Sequence, residues 1–125
     1  MKSEKEKMLS GEYYNSQDEE LVKERYYARE LQFQFNNTHP KEENRMDIIK
    51  RLIIARGNFY VEPPFYCDYG YNIEVGNNFY ANFGCTILDV SKVTIGDDVL
   101  FGPNVQIYTA AHPIDPKERN TGIEY

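Results

Sequence analysis

The sequence predicts a mainly β protein, in which a parallel β-helix over residues 57–125 follows an α-helical segment over residues 1–56. Two observations lead to this prediction. The amino-acid composition changes sharply near Gly57, and a repeat of regularly spaced apolar residues begins after it. Stretches without glycine or proline favour helices, whereas short strands separated by turn residues are typical of stacked β coils. We therefore treat the chain as two segments.

The first segment has helical composition, with Gly11 and Pro40 as its only glycine and proline. A short helix is predicted over residues 5–9. Ser16 and Glu19 form a capping-box pattern, which predicts the start of a longer helix. Pro40 ends that helix, because proline disfavours helix at the preceding residue and suits the first turn of a new one.

Two apolar stripes at helical spacing predict that this segment folds as a helical hairpin. The first stripe consists of Leu21, Ala28, Leu31 and Phe35, and the second of Met46, Ile49, Leu52 and Ile53. Apolar residues at helical steps usually pack against the rest of a protein. We therefore expect both stripes to be buried.

The second segment contains an internal repeat with an offset of twenty residues. Residues 72–87 align with residues 92–107, and within the first copy Val75, Ala81 and Ile87 recur at steps of six. Such steps, with Gly, Asn or Asp between them, describe short strands joined by tight turns. Three steps make one eighteen-residue coil of a β-helix. We assign the two extra residues to a loop at residues 88–92.

The two cysteines are interpreted as core residues. Cys67 and Cys85 lie eighteen residues apart, so an uninterrupted coil would stack them on neighbouring rungs as small buried hydrophobes. Two cysteines alone form neither a disulfide framework nor a zinc site, which needs four ligands at characteristic spacing. We therefore expect no metal.

The overall charge restricts the class of partner. The chain carries a formal net charge of −6, with a pI near 4.9. Nucleic acids and anionic membranes require a basic surface, so neither is expected as a partner.

The N-terminal residues contain no apolar signal segment, and no stretch reaches the roughly 18 apolar residues that span a bilayer. We predict a cytoplasmic protein.

Three stretches carry a resemblance to a known family. They are EKEKMLSGEYY, EPPFYCDYGYNIEVGNNFYANFGCTILD and VTIGDDVLFGPNVQIYTAAHPIDPKERNTGIEY. Together they resemble the maltose and galactoside O-acetyltransferases of the hexapeptide-repeat acyltransferase superfamily, over essentially the whole chain. The resemblance implies a left-handed parallel β-helix, a homotrimer, and transfer of an acetyl group from acetyl-CoA to a sugar hydroxyl. The acceptor is expected to be maltose, glucose or a galactoside.

The same resemblance implies roles for six residues of this chain. His112 aligns with the catalytic general base, a role that suits imidazole because it exchanges protons near neutral pH. Asn82 aligns with the asparagine that contacts the acetyl group of acetyl-CoA and stabilises the oxyanion, as an amide N–H can. The acceptor-binding positions of the family correspond to Tyr80, Asp68, Arg25 and Ser16, the last of these with Asp18 close by.

Two further expectations follow from the resemblance. The family continues past the equivalent of Tyr125 with coils that form much of the CoA groove, so we expect a fragment or a shortened relative with impaired CoA binding and strong self-association. A catalytically impaired chain that acts only as an oligomeric structural or interaction element is therefore the alternative function. Carbonic anhydrases built on the same helix are disfavoured, because His39 and His112 are too few for their zinc triad.

Overall fold

The computed structural model describes all 125 residues and contains four α-helices. These are α1 (Glu4–Leu9), α2 (Glu19–Asn36), α3 (Arg45–Leu52) and α4 (Pro116–Arg119). The predicted short helix and helical hairpin are therefore present, and Pro40 lies between α2 and α3. The new helix begins only at Arg45, so Pro40 does not occupy its first turn. None of the four helices combines the length and apolar character needed to cross a membrane.

Nine of the eleven strands form three parallel sheets of three strands each. The strands are β1 (Tyr14–Asn15), β2 (Ile54–Ala55), β3 (Phe59–Val61), β4 (Phe65–Cys67), β5 (Ile73–Val75), β6 (Phe79–Ala81), β7 (Cys85–Leu88), β8 (Val93–Ile95), β9 (Leu100–Phe101), β10 (Gln106–Tyr108) and β11 (Ile123–Glu124). The sheets follow the orders β2-β5-β8, β3-β6-β9 and β4-β7-β10. Successive strands thus visit three faces in turn, which is a parallel β-helix.

The coils repeat every twenty residues, which is the offset of the internal repeat, and not every eighteen as three uninterrupted steps of six would give. Ile73 pairs with Val93 on one face, and Ile87 pairs with Ile107 on another. The predicted loop after β7 is present, and an equivalent loop over residues 68–72 separates β4 from β5. The same two extra residues are therefore inserted at one corner of successive coils.

The predicted stacking of the cysteines is wrong. Cys85 pairs with Phe65, and Cys67 pairs with Ile87, because the loop at residues 68–72 shifts the register by two residues. Both cysteines are nevertheless buried and free, as expected of small core residues. Burial raises the pKa of both thiols, which keeps them protonated and unreactive at neutral pH.

The helical segment and the β-helix pack against each other through two hydrophobic clusters. All four residues of the first stripe are buried, as are Ile49, Leu52 and Ile53 of the second, while Met46 is partly buried. Leu21 belongs to a smaller second cluster with Tyr69 and Val90, and the other stripe residues pack with inward residues of the coils such as Phe65 and Ile87. The N-terminal helices end at Leu52 and the coils begin at Ile54, but a division of the chain into two domains at residue 56 stays a prediction.

The predicted cap at Ser16 is wrong. The N-cap of α2 is Asp18, whose carboxylate accepts a hydrogen bond from the Leu21 backbone N–H (3.4 Å). Ser16 lies two residues earlier, where it is buried, and it does not cap the helix because its hydroxyl donates to the Gly122 carbonyl. The capping box occurs instead on α1, between Ser3 and Glu6.

Two amide side chains of α2 cover the open edge of strand β4. The Gln32 amide donates to the Cys67 carbonyl (3.1 Å) and accepts from the Cys67 N–H (3.0 Å). Asn36 makes the same pair of bonds with Phe65, at 3.0 and 2.8 Å. The two amides thus replace a neighbouring strand. An edge strand with unpaired backbone groups invites association with other chains, so α2 protects this end of the β-helix.

Replacing Gln32 by alanine is expected to destabilise the protein by about 2–4 kcal/mol, because two buried backbone groups of Cys67 lose their partners. Denaturant unfolding measures this change. The matched control is Gln34→Ala on the same helix. The Gln34 side chain is exposed and bonds only to Glu30, so its loss should cost at most about 0.5 kcal/mol. Equal stability losses in the two variants would contradict the proposed edge protection.

Candidate active site

His112 lies on a loop that leaves the β-helix after β10. Backbone hydrogen bonds join Ala111 to Tyr125 in both directions, at 2.8 and 3.1 Å. Pro113, the residue after the histidine, is buried, and the loop then continues into α4. The imidazole is therefore anchored on both sides through the backbone, while its side chain stays 57% exposed.

The C-terminal strand that holds this loop is itself held by the N-terminal segment. Strand β11 pairs antiparallel with β1, which places Tyr14 opposite Glu124 and Asn15 opposite Ile123. The Tyr13 and Tyr125 rings also stack, with centroids 5.1 Å apart. The position of the histidine loop thus depends on residues that lie about a hundred positions earlier in the chain.

A carboxylate faces the histidine. Glu124 Oε1 lies 3.9 Å from His112 Nδ1, and Glu124 Oε2 accepts a hydrogen bond from the Tyr14 hydroxyl. Burial, followed by this bond to Glu124, raises the pKa of Tyr14, so the phenol remains a donor. The glutamate is only 19% exposed and is thereby held beside the imidazole. A carboxylate beside Nδ1 favours the tautomer that carries its proton on that nitrogen, which leaves the lone pair on Nε2.

His112 and Glu124 line a cleft of about 290 Å³. Three residues predicted from the sequence, Ser16, Arg25 and Asp68, line the same cleft. The fold therefore gathers residues from the turn after β1, α2, the corner of the first coil, the histidine loop and β11 around one cavity. Catalytic and binding groups commonly converge in this way from distant parts of a chain.

Arg25 and Ser16 connect the elements around the cleft. Arg25 Nη1 donates to the Tyr69 hydroxyl (2.8 Å), and Arg25 Nη2 donates to the Ser16 carbonyl (2.7 Å). The Ser16 hydroxyl donates to the Gly122 carbonyl (2.6 Å). Its proton is thus already used to hold the segment before β11. An acceptor-binding role for Ser16 and Arg25 remains a prediction.

Asp68 presents a carboxylate to the cleft. Its side chain is half-buried and accepts no hydrogen bond from the rest of the chain. Burial raises the pKa of Asp68, and the charge of Glu124 adds to this effect, while Arg25 and Arg29 oppose it. The carboxylate is therefore available to accept hydrogen bonds from a ligand hydroxyl.

Tyr80 and Asn82 lie on a different face of the β-helix. Tyr80 belongs to β6, where its ring stacks on that of Tyr60 with centroids 6.3 Å apart. Asn82 directly follows β6, and its side-chain oxygen accepts from the Phe83 N–H (2.8 Å). Neither residue lines the His112 cleft. The single chain thus brings four of the six predicted residues together and separates the other two from them.

Comparisons with known proteins place this geometry in a family. Residues 7–57 match the family described as "Maltose acetyltransferase hexapeptide capping motif". Nodulation protein L of Rhizobium meliloti is 42% identical over 125 residues, which cover 98% of this chain and 68% of that protein. The chain belongs to the maltose and galactoside O-acetyltransferase family. It spans 60% of the length of the Escherichia coli galactoside O-acetyltransferase, to which it is 42% identical.

Solved structures of this acetyltransferase family have the same fold. The maltose O-acetyltransferase from Clostridium difficile 630 superposes with a TM-score of 0.94 at 56% identity, covering 99% of this chain and 67% of that one. A galactoside acetyltransferase in complex with coenzyme A superposes with a TM-score of 0.93 at 39% identity, covering 100% and 64%. These similarities confirm the predicted fold class, a left-handed parallel β-helix preceded by helices.

Glu124 lines the cleft, but no pattern in the sequence pointed to it. It lies twelve positions after His112, and no motif or periodicity connects the two. Their approach depends on the pairing of β11 with β1, which is a contact between the two ends of this acetyltransferase-family chain. A conserved spacing between the HP dipeptide and a later glutamate is the only sequence signal that could have revealed it.

Proposed function

We propose that this protein is an acetyl-CoA-dependent O-acetyltransferase that acts on a sugar hydroxyl in the cytoplasm. The observation that carries the proposal is the cleft in which the exposed His112 ring stands beside Glu124 and opposite polar groups suited to a sugar. Asp68 would accept hydrogen bonds from sugar hydroxyls, and Arg25 would donate them. Maltose, glucose and a galactoside are the acceptors to test first.

In this reaction His112 acts as the general base. Its imidazole takes the proton of the sugar hydroxyl while that oxygen attacks the thioester carbon of acetyl-CoA. The tetrahedral intermediate then collapses, the C–S bond breaks, and the CoA sulfur leaves with the proton from the imidazolium. The products are the acetyl ester and free CoA, so the histidine returns to its starting state. Glu124 stabilises the imidazolium during the transfer.

The site is completed by a second copy of the chain. Asn82 and Tyr80 lie outside the His112 cleft of their own chain, which supports a homotrimer in which one subunit supplies the histidine and its neighbour supplies the asparagine. The Asn82 side-chain N–H would stabilise the oxyanion and contact acetyl-CoA, while Tyr80 would contact the acceptor. The CoA complex of a related galactoside acetyltransferase supports the choice of donor.

The proposed function is tested by incubating the chain with acetyl-CoA and each of the three sugars. We expect stoichiometric release of CoA and formation of an acetylated sugar, detected as a mass increase of one acetyl group. Mass measurement in solution should give a trimer. A folded, self-associated chain that acetylates none of these sugars would contradict the proposal and favour the alternative, an oligomeric structural or interaction element.

Glu124→Gln is expected to lower kcat about tenfold, which corresponds to about 1.4 kcal/mol of lost stabilisation of the imidazolium. Glutamine keeps an oxygen for the Tyr14 hydroxyl, so the loop should remain in place. Steady-state acetyl transfer measures the effect. The matched control is Glu118→Gln, which lies on α4 in the same region but outside the cleft. An unchanged kcat in Glu124→Gln would remove Glu124 from the mechanism.

A further inference from the structure

The most completely buried carboxylate of the chain belongs to Asp89, which has no exposed surface. Its two oxygens accept four backbone N–H groups of the preceding coil. Asp68 and Tyr69 donate to Oδ1 at 3.1 and 2.9 Å, and Gly70 and Asn72 donate to Oδ2 at 2.8 and 3.2 Å. Burial raises the pKa of Asp89 to about 6, and the backbone bonds oppose this rise.

These four amides belong to the loop between β4 and β5 that contains the two extra residues of the first coil, here called the corner loop (residues 68–72). The corner loop places the Asp68 carboxylate in the cleft and the Tyr69 hydroxyl on Arg25. Asn72 makes a second bond to the same residue, because its side-chain amide donates to the Asp89 backbone carbonyl (2.8 Å). Asp89 itself lies in the corresponding insertion of the next coil.

The conformation of the corner loop is narrowly constrained. Gly70 has a φ of +86°, and a Cβ atom at this position would lie 2.3 Å from the Leu52 carbonyl oxygen. The loop therefore passes tightly against the end of α3. A buried carboxylate with four donors is costly to desolvate, and it is stable only while every donor keeps its position. The four bonds thus hold Asp68 and Tyr69 in one arrangement relative to His112.

A second aspartate of the chain provides a comparison. Asp97 also accepts a backbone N–H from the preceding coil, that of Asn77 at 2.7 Å. It makes only this one bond, at an exposed turn, and it does not line the cleft. The turns at this corner are joined by this bond, by the Asp98 N–H to the Asn77 carbonyl (2.9 Å) and by the Asn78 amide to the Asp98 carboxylate (3.0 Å), so no single side chain carries the link. The four bonds of Asp89 are concentrated at the corner that supplies side chains to the cleft.

We propose that Asp89 is a positioning residue for the sugar side of the active site, which it controls through the corner loop. This inference rests on the proposed function for its kinetic effect. Asp89 does not contact the reacting atoms. It fixes the backbone from which Asp68 reaches the acceptor and Tyr69 orients Arg25.

The kinetic test compares Asp89→Asn with Asp97→Asn in the full chain. Asparagine keeps the size of the side chain but offers one oxygen to four donors, so we expect the KM for the sugar to rise about tenfold. The KM for acetyl-CoA should change less than about twofold, because His112 and Asn82 are unaffected. Asp97→Asn should leave all constants unchanged. Equal changes in both KM values, or none, would overturn the proposal.

A double variant distinguishes positioning from general loosening of the fold. If Asp89 acts through Asp68, then Asp89→Asn in an Asp68→Asn background should raise the KM for the sugar much less than it does in the unmodified chain. Fully additive effects would contradict this route. Asn72→Ala releases the same corner loop from the other side and should reproduce the effect if Asp89→Asn fails to fold.

Amide hydrogen exchange tests the physical link independently of catalysis. Asp89→Asn should accelerate exchange at the four amides of the corner loop while exchange in β5 and β6 stays unchanged. Unchanged protection of those four amides would overturn the inference. If the unmodified chain transfers no acetyl group, the proposed function fails, and the exchange result alone then decides whether Asp89 holds the corner loop.

Discussion

His112→Ala is expected to lower kcat/KM for acetyl transfer by about 10²- to 10⁴-fold, the range over which a positioned general base contributes. The sugar hydroxyl would then have to lose its proton to water while it attacks the thioester. Because the His112 side chain is exposed, its removal should leave the fold intact. Release of CoA in the presence of the sugar measures the loss. The circular dichroism spectrum and the melting temperature should not change.

His39→Ala is the matched control. This is the only other histidine, it also precedes a proline, and it lies between α2 and α3. Its ring accepts a hydrogen bond from the Lys41 N–H (3.1 Å) in an exposed turn. We expect wild-type turnover from this variant. Comparable activity losses in both variants, or full activity in His112→Ala, would exclude His112 as the base.

Mixing two inactive variants should restore activity. In the proposed mechanism His112→Ala lacks the base and Asn82→Ala lacks the oxyanion donor, so each variant alone is expected to be inactive. In a mixed trimer, a site that takes its histidine from one subunit and its asparagine from the neighbour can be complete. Random association of equal amounts should make about one quarter of the sites complete, which sets the expected recovery relative to the unmodified protein.

The recovery must depend on exchange of subunits. The two variants should therefore be unfolded and refolded together, and separately refolded proteins mixed afterwards should show less activity. The double variant carrying both substitutions provides the blank, because no combination of its subunits yields a complete site. If co-refolded variants remain as inactive as the double variant, His112 and Asn82 do not act across a subunit boundary.

The repeat in the sequence predicted the coils well because their packing is local and periodic. Inward positions such as Val75, Ala81 and Ile87 are buried at the predicted steps of six. The predicted stacking of Cys67 on Cys85 was wrong, because the alignment of the repeats reveals only one of the two corner insertions. A register shift of two residues keeps every side chain on its face, so the apolar pattern does not reveal it.

In the helical segment, too, some features were predictable from the sequence and others were not. Apolar spacing correctly predicted which residues of α2 face the core, because one stripe of the helix must be buried. The cap at Ser16 was wrong because a tertiary hydrogen bond to Gly122 takes its hydroxyl. The use of Gln32 and Asn36 as substitutes for a strand was not predictable, since exposed and buried amides look alike in a sequence.

The sequence by itself determined the coil period, the buried stripes and the loop that carries His112, because these depend on spacing between near neighbours. Tertiary structure alone decided the partners of that histidine. Glu124 reaches it only because β11 pairs with β1, and Asp89 holds the corner loop only because successive coils stack. Such contacts join residues far apart in the chain, and their formation depends on how the whole fold closes, so no local pattern encodes them.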